Sequence, residues 1–192
     1  METEYEVRIL EIDVEDVTKR LENMKALKKW DLLQQRYVYD FIPKVDNKWL
    51  RLRTNGKKTT LTIKEVVTSD IDGTRELEIE VDDFEKTNMI LNELGYEARS
   101  YQENRRVQYE YDGVEIDIDY WPLIPTYLET EGPTEEKVYE ILELLGYNKE
   151  ECTSKDVEGI YSDYGYDILK IKSLKLEEKR RWHYMKIYYG ED

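Results

Sequence analysis

Residues 4–9 read Glu4-Tyr5-Glu6-Val7-Arg8-Ile9. In a β-strand, successive side chains point to opposite faces. Two carboxylates and a guanidinium therefore share one face, and Tyr5, Val7 and Ile9 share the other. A lone strand of this kind would put its apolar face on a core and its charged face in water. This one is repeated. Leu50-Arg51-Leu52-Arg53 alternates in the same way, as do Leu61-Thr62-Ile63-Lys64, Glu76-Leu77-Glu78-Ile79-Glu80 and Glu115-Ile116-Asp117-Ile118-Asp119. Glu129 and Glu131 flank Thr130. Several of these strands carry only carboxylates, and others only Arg or Lys. Such sorting has a physical reason if the charged faces look into one enclosed space, where cations or an anionic ligand compensate the crowded charges.

Strand signals fall near 3–10, 34–41, 48–54, 59–67, 74–82, 105–112, 114–120 and 127–131. Helical spacing runs over 14–27, with Asp13 as N-cap, and over 84–94, closing at Gly95. Further helices are expected over 133–145, 154–164 and 174–182, the last followed by a short extended piece. Asp72-Gly73 and Asp112-Gly113 read as two-residue turns, and Asn55-Gly56 as another hairpin signal. This order, with little parallel βαβ character, predicts an α+β fold: a closed eight-stranded antiparallel β-barrel with a charged lumen and flanking helices. Helices and the abundant aromatic residues, 17 Tyr and 4 Trp, would cover its apolar exterior. A polar lumen is normally a ligand site, because uncompensated buried charge is costly.

The chain has 192 residues and a formal net charge of −15. That balance argues against nonspecific binding to nucleic acid or to anionic membranes, although a local basic cluster could still take a small phosphorylated ligand. A single Cys152 excludes an internal disulfide. With no secretory signal and no run of about 20 apolar residues, a soluble cytoplasmic protein is expected. The one histidine, His183, lies in the tail, so a Ser–His or Cys–His nucleophile is not expected. Zinc-ligand spacing and glycine-rich phosphate loops are also missing.

The ordered set of motifs resembles the CYTH superfamily, the triphosphate tunnel metalloenzymes, which includes class IV adenylate cyclases, thiamine triphosphatases and inorganic triphosphatases. Its Glu-x-Glu-x-Lys signature is similar to Glu4-Tyr5-Glu6-Val7-Arg8, with Arg in place of Lys. Its Leu-Arg-x-Arg segment is similar to residues 50–53, and its next basic strand to 61–64. Arg105-Arg106, the acidic strand 115–119, Glu129-Thr130-Glu131 and Lys155 follow in the family's order. The likeness spans 1–166, a tunnel domain; 167–192 would be a C-terminal extension packed on or beside the barrel.

The resemblance implies that Arg8, Arg51, Arg53, Lys64, Arg106 and Lys155 bind a polyphosphate. It implies Glu4, Glu6, Asp117, Glu129 and Glu131 as ligands for Mg2+ or Mn2+, with Glu4, Glu6 and Arg8 as the catalytic group. Glu76, Glu78, Glu80 and Asp119 would balance the basic groups. The function implied is a metal-dependent triphosphatase acting on a triphosphate-containing small molecule. A class IV adenylate cyclase and a noncatalytic nucleotide or polyphosphate sensor are the alternatives. Neither nucleic acid nor membrane is expected as a partner, and a homodimer is left open.

Overall fold

The computed structural model describes residues 1–177. It contains β1 (Glu2–Ile9), α1 (Val14–Asn23), β2 (Leu27–Asp40), β3 (Lys48–Thr54), β4 (Thr59–Val66) and β5 (Thr74–Glu80). There follow α2 (Phe84–Glu93), β6 (Ala98–Tyr111), β7 (Val114–Tyr120), β8 (Tyr127–Gly132), α3 (Glu135–Leu144), α4 (Val157–Asp163) and β9 (Ser173–Leu174). The strands pair in the order β2-β3-β4-β5-β1-β8-β7-β6, and β6 returns to β2, closing the barrel. Every barrel pairing is antiparallel.

Closure rests on two 14-residue strands, β2 and β6, which pair from Leu27↔Glu110 to Tyr39↔Ala98. The sequence pattern reaches only their halves. Lys28-Lys29-Trp30 has no alternation of its own and is extended because β6 supplies its hydrogen bonds. For the same reason α1 stops early, with Lys25 at φ 60 just before β2 begins. Asp13 does cap α1, accepting from the Glu15 and Asp16 amides. Asp112-Gly113 makes the expected two-residue turn, both residues having positive φ. Asp72-Gly73 instead ends a longer connection, 67–73, in which a Cβ on residue 73 would lie 2.2 Å from the Thr68 carbonyl oxygen.

The apolar faces turn outward onto helices. Val7, Ile116, Ile118 and Leu128 of the barrel pack against Val17 and Leu21 of α1 and Val138, Ile141 and Leu142 of α3. Leu91 of α2 packs on Tyr39, Leu50 and Leu52, while Phe84 stacks on Tyr37 with ring centroids 5.0 Å apart. The cover is incomplete, since Leu77 and Ile79 of β5 remain exposed. A third cluster, including Trp121, Tyr127, Ile160, Tyr161, Ile168 and Leu174, joins the barrel to α4 and the segment that follows it.

The expected helix over 174–182 is not borne out where it is described. Ser173–Leu174 form β9, parallel to β6 and outside the closed ring, and residues 175–177 are not helical. The pairing with Tyr101 and Gln102 and the burial of Leu174 and Leu176 account for the extended conformation. Residues 178–182, the extended piece expected beyond them and His183 lie outside the described residues. No described helix is long and apolar enough to cross a membrane.

Candidate active site in the barrel lumen

Strand alternation places the charged side chains inside, around a cavity of about 1090 Å³. The ring has two sectors. Neighbouring strands β6, β2 and β3 bring in Arg106, Arg36, Arg51 and Arg53. Neighbouring strands β5, β1, β8 and β7 bring in Glu76 and Glu78, Glu4 and Glu6, Glu129 and Glu131, and Glu115. Arg8 and Lys64 stand among the acids.

Arg8 is 3% exposed and fully engaged. Its Nε donates to Glu129 Oε2 (2.7 Å), its Nη2 to Glu6 Oε2 (2.7 Å) and its Nη1 to the Lys155 carbonyl (2.9 Å). Burial alone would lower its pKa, but Glu129 and Glu6 reverse that and raise it. Lys64 Nζ lies 2.7 Å from Glu76, 3.2 Å from Glu4 and 3.7 Å from Glu6. Arg51 meets Glu76 at 3.2 Å and Glu78 at 3.6 Å, and Arg53 reaches Glu78 at 3.7 Å. Burial would raise the Glu76 carboxyl, but Arg51 and Lys64 outweigh it and hold that group at about 2. Arg106 ties three acids together: Asp117, Asp119 and Glu129. Asp117 and Asp119 are buried behind Arg106 and do not line the open cavity, and Asp117 Oδ1 has no donor. Glu80, grouped by sequence with the lumen acids, is exposed and pairs with Lys58 at 3.7 Å.

Not every charge is matched. The register sets Glu131 directly beside Glu6 on β1 and Glu115 on β7, a row of three carboxylates. Like charges in such positions repel. Arg8 and Lys64 serve Glu6, and Gln108 Nε2 donates to Glu115 at 2.8 Å. Glu131 has no ion-pair partner among the described residues. Burial and the charges of Glu4, Glu6, Glu129 and Glu115 push its carboxyl up to about 8. Burial likewise lifts Glu4 to about 7, against the pull of Lys64.

Among the described residues, no three carboxylate, thiol or imidazole groups already converge as a metal cage. The reason is visible in the contacts, because Glu4, Glu6 and Glu129 each hold a side-chain cation. The donor set nevertheless fits a hard divalent ion. It consists of carboxylate oxygens, one of them uncompensated, crowded enough to favour a cation over protons.

A CYTH domain model matches residues 2–157. The chain belongs to the CYTH family. Its barrel is similar to a conserved hypothetical protein from Pyrococcus furiosus, at 23% identity and TM-score 0.70 over 82% of this chain and 99% of that one. A candidate adenylate cyclase from Vibrio parahaemolyticus aligns at 13% identity and TM-score 0.73, over 84% and 98% of the two chains. A Hippeastrum protein, described as a candidate adenylyl cyclase with a dominant triphosphatase activity, aligns at 17% and 0.56, over 86% and 96%. At these identities the structural likeness speaks to the fold. No curated protein sequence matches the chain.

Within this CYTH barrel, Glu4, Glu6, Arg8, Arg51, Arg53, Lys64, Arg106, Glu129 and Glu131 all line the cavity. Lys155 lines it too, but its ammonium is half-exposed and bound to Asp163 at 2.7 Å, so its backbone carbonyl rather than its charge reaches Arg8. Arg36 was missed by the sequence reading. The signal was there: Tyr37 and Tyr39 pack outward, which leaves Gln34, Arg36 and Val38 inward on the same strand.

Proposed function

We propose that this protein is a divalent-metal-dependent phosphohydrolase acting on an inorganic or organic triphosphate held in the lumen. The observation that carries the reading is the division of the lumen into a guanidinium sector facing a carboxylate sector with an unmatched Glu131. A triphosphate is a chain of oxyanions, and the planar donors of Arg51, Arg53 and Arg106 suit it. Binding is then an exchange of partners. Phosphate oxygens take over Arg51 and Lys64, which releases Glu4 and Glu76. Glu4, Glu6, Glu129 and Glu131 would hold Mg2+ or Mn2+. Such an ion, when bound, would supply Lewis acidity toward the phosphate oxygens and toward water. Arg8 keeps Glu6 and Glu129 in place from behind.

In this reading residues 1–166 are the working unit and 167–192 an extension, whose described part adds β9 to the barrel wall. The activity described for the Hippeastrum relative is in line with hydrolysis. Incubation of pure protein with inorganic triphosphate, ATP or thiamine triphosphate, with Mg2+ or Mn2+, tests the proposal. Release of phosphate supports it. Cyclic AMP from ATP replaces it with a cyclase, and binding without turnover replaces it with a sensor.

A further inference from the structure

Most of the guanidiniums in the lumen form ion pairs with carboxylates, but Arg36 does not, and only the more distant Asp119 favours its charge. It is 6% exposed, and no carboxylate pairs with it among the described residues. Its Nη2 donates to Gln34 Oε1 at 3.0 Å and to Asn104 Oδ1, both neutral amides. Its Nε is buried with no acceptor. The guanidinium carbon lies 4.5 Å from the centre of the Trp121 ring, which supports the fork from one side. Across the β2–β3 ladder, Arg36 pairs directly with Arg53, so like charges adjoin. Burial, then the charges of Arg53, Arg51 and Arg106, push its pKa well below the ordinary arginine range. An unpaired buried charge is expensive for the fold. Here it is held in a defined orientation by neutral groups and borders the cavity.

We infer that Arg36, with Arg53 beside it, is the lumen's metal-independent anchor for a phosphate group of the substrate. The inference deepens the proposed function and rests on it. Arg51, Lys64 and Arg106 must each give up a carboxylate before they can bind phosphate, and Arg53 must loosen its 3.7 Å contact with Glu78, whereas Arg36 breaks no ion pair. It therefore engages the anion first, before a divalent ion is bound.

The test is titration calorimetry of the full-length protein with inorganic triphosphate in EDTA, repeated with Mg2+, on wild type, Arg36→Gln and Arg36→Lys. Loss of a charge-assisted phosphate contact should weaken metal-free binding by about 10- to 100-fold in Arg36→Gln. Arg36→Lys should recover part of that affinity. The ligand-free melting temperature of Arg36→Gln should equal or exceed that of wild type, because an unmatched charge has gone. Unchanged triphosphate affinity in Arg36→Gln overturns the inference. So does a large fall in ligand-free stability with affinity retained, which would make Arg36 structural. If Arg36→Gln does not fold, Arg36→Lys decides: it keeps the charge but loses the fork, and wild-type affinity there removes the role of the fork. Binding of triphosphate by wild type only when Mg2+ is present also overturns the inference, whereas failure of wild type to bind under both conditions counts against the proposed function.

Discussion

Removing Arg8 by Arg8→Ala should destabilise the barrel more than any surface charge change. The side chain sits between Glu6 and Glu129, within 2.7 Å of each, and also donates to the Lys155 carbonyl. Its loss strands two buried carboxylates and one carbonyl. Breaking a buried ion pair by deleting one partner costs about 3–5 kcal/mol. For a chain of this size, that is a fall in melting temperature of about 6–20 °C. Arg106 still serves Glu129 and Lys64 still lies near Glu6, so the lower half of that range is expected. The loss should depend on pH. Burial would raise the Glu129 carboxyl, but Arg8 and Arg106 hold it far below the usual range. A depressed carboxyl contributes stability above its unfolded pKa and loses it as pH falls through the folded value. In Arg8→Ala, Glu129 loses one of the two guanidiniums that hold it down and can take up a proton as the pH falls. The deficit should therefore be full near pH 7 and shrink toward pH 4. Arg8→Lys keeps the charge but offers one ammonium where three nitrogens now donate, so it should fall between Arg8→Ala and wild type. Urea unfolding of the three proteins at both pH values measures this. A deficit below about 1 kcal/mol, the scale of an exposed pair, or one that does not change with pH, would refute the reasoning.

Glu131→Gln should stabilise the metal-free protein at pH 8.5. The carboxyl is raised from 4.5 to about 8, so wild-type stability falls as pH rises through that window; solvent in the lumen and the cost of the new amide leave a gain of about 1–3 kcal/mol, near zero at pH 5, read by urea unfolding in EDTA. Mg2+ should restore stability to wild type at pH 8.5 but much less to this variant, as melting curves would show. Either Glu129→Gln or Glu131→Gln should abolish metal-dependent phosphate release with circular dichroism unchanged, and full turnover at saturating Mg2+ and Mn2+ would remove that residue from the site. Leu174→Ala should cost about 2–4 kcal/mol in urea unfolding, because Leu174 is 3% exposed at the seam between β9, α4 and the barrel.

The sequence by itself determined which face of each short strand carries charge, because a period of two admits only one partition of Glu4, Glu6 and Arg8 from Tyr5, Val7 and Ile9. It determined the hairpin at Asp112-Gly113 and the start of α1 at Asp13, since both depend on residues a few positions apart. Repetition of the pattern over several strands was enough to read a charged lumen. Tertiary structure decided what depends on partners distant in the chain. The first halves of β2 and β6 are strands because each is hydrogen-bonded to the second half of the other, and β9 is extended rather than helical because β6 offers it an edge. The pairing of charges is equally nonlocal. Residues two apart on one strand, Glu129 and Glu131, end with opposite electrostatics, one beside Arg8 and Arg106 and the other beside Glu6 and Glu115. Strand alternation sets Arg36 on the face opposite Tyr37 and Tyr39 and says nothing of its partners. Only closure of the barrel shows that it is buried with amides and an indole around it and no carboxylate paired with it among the described residues.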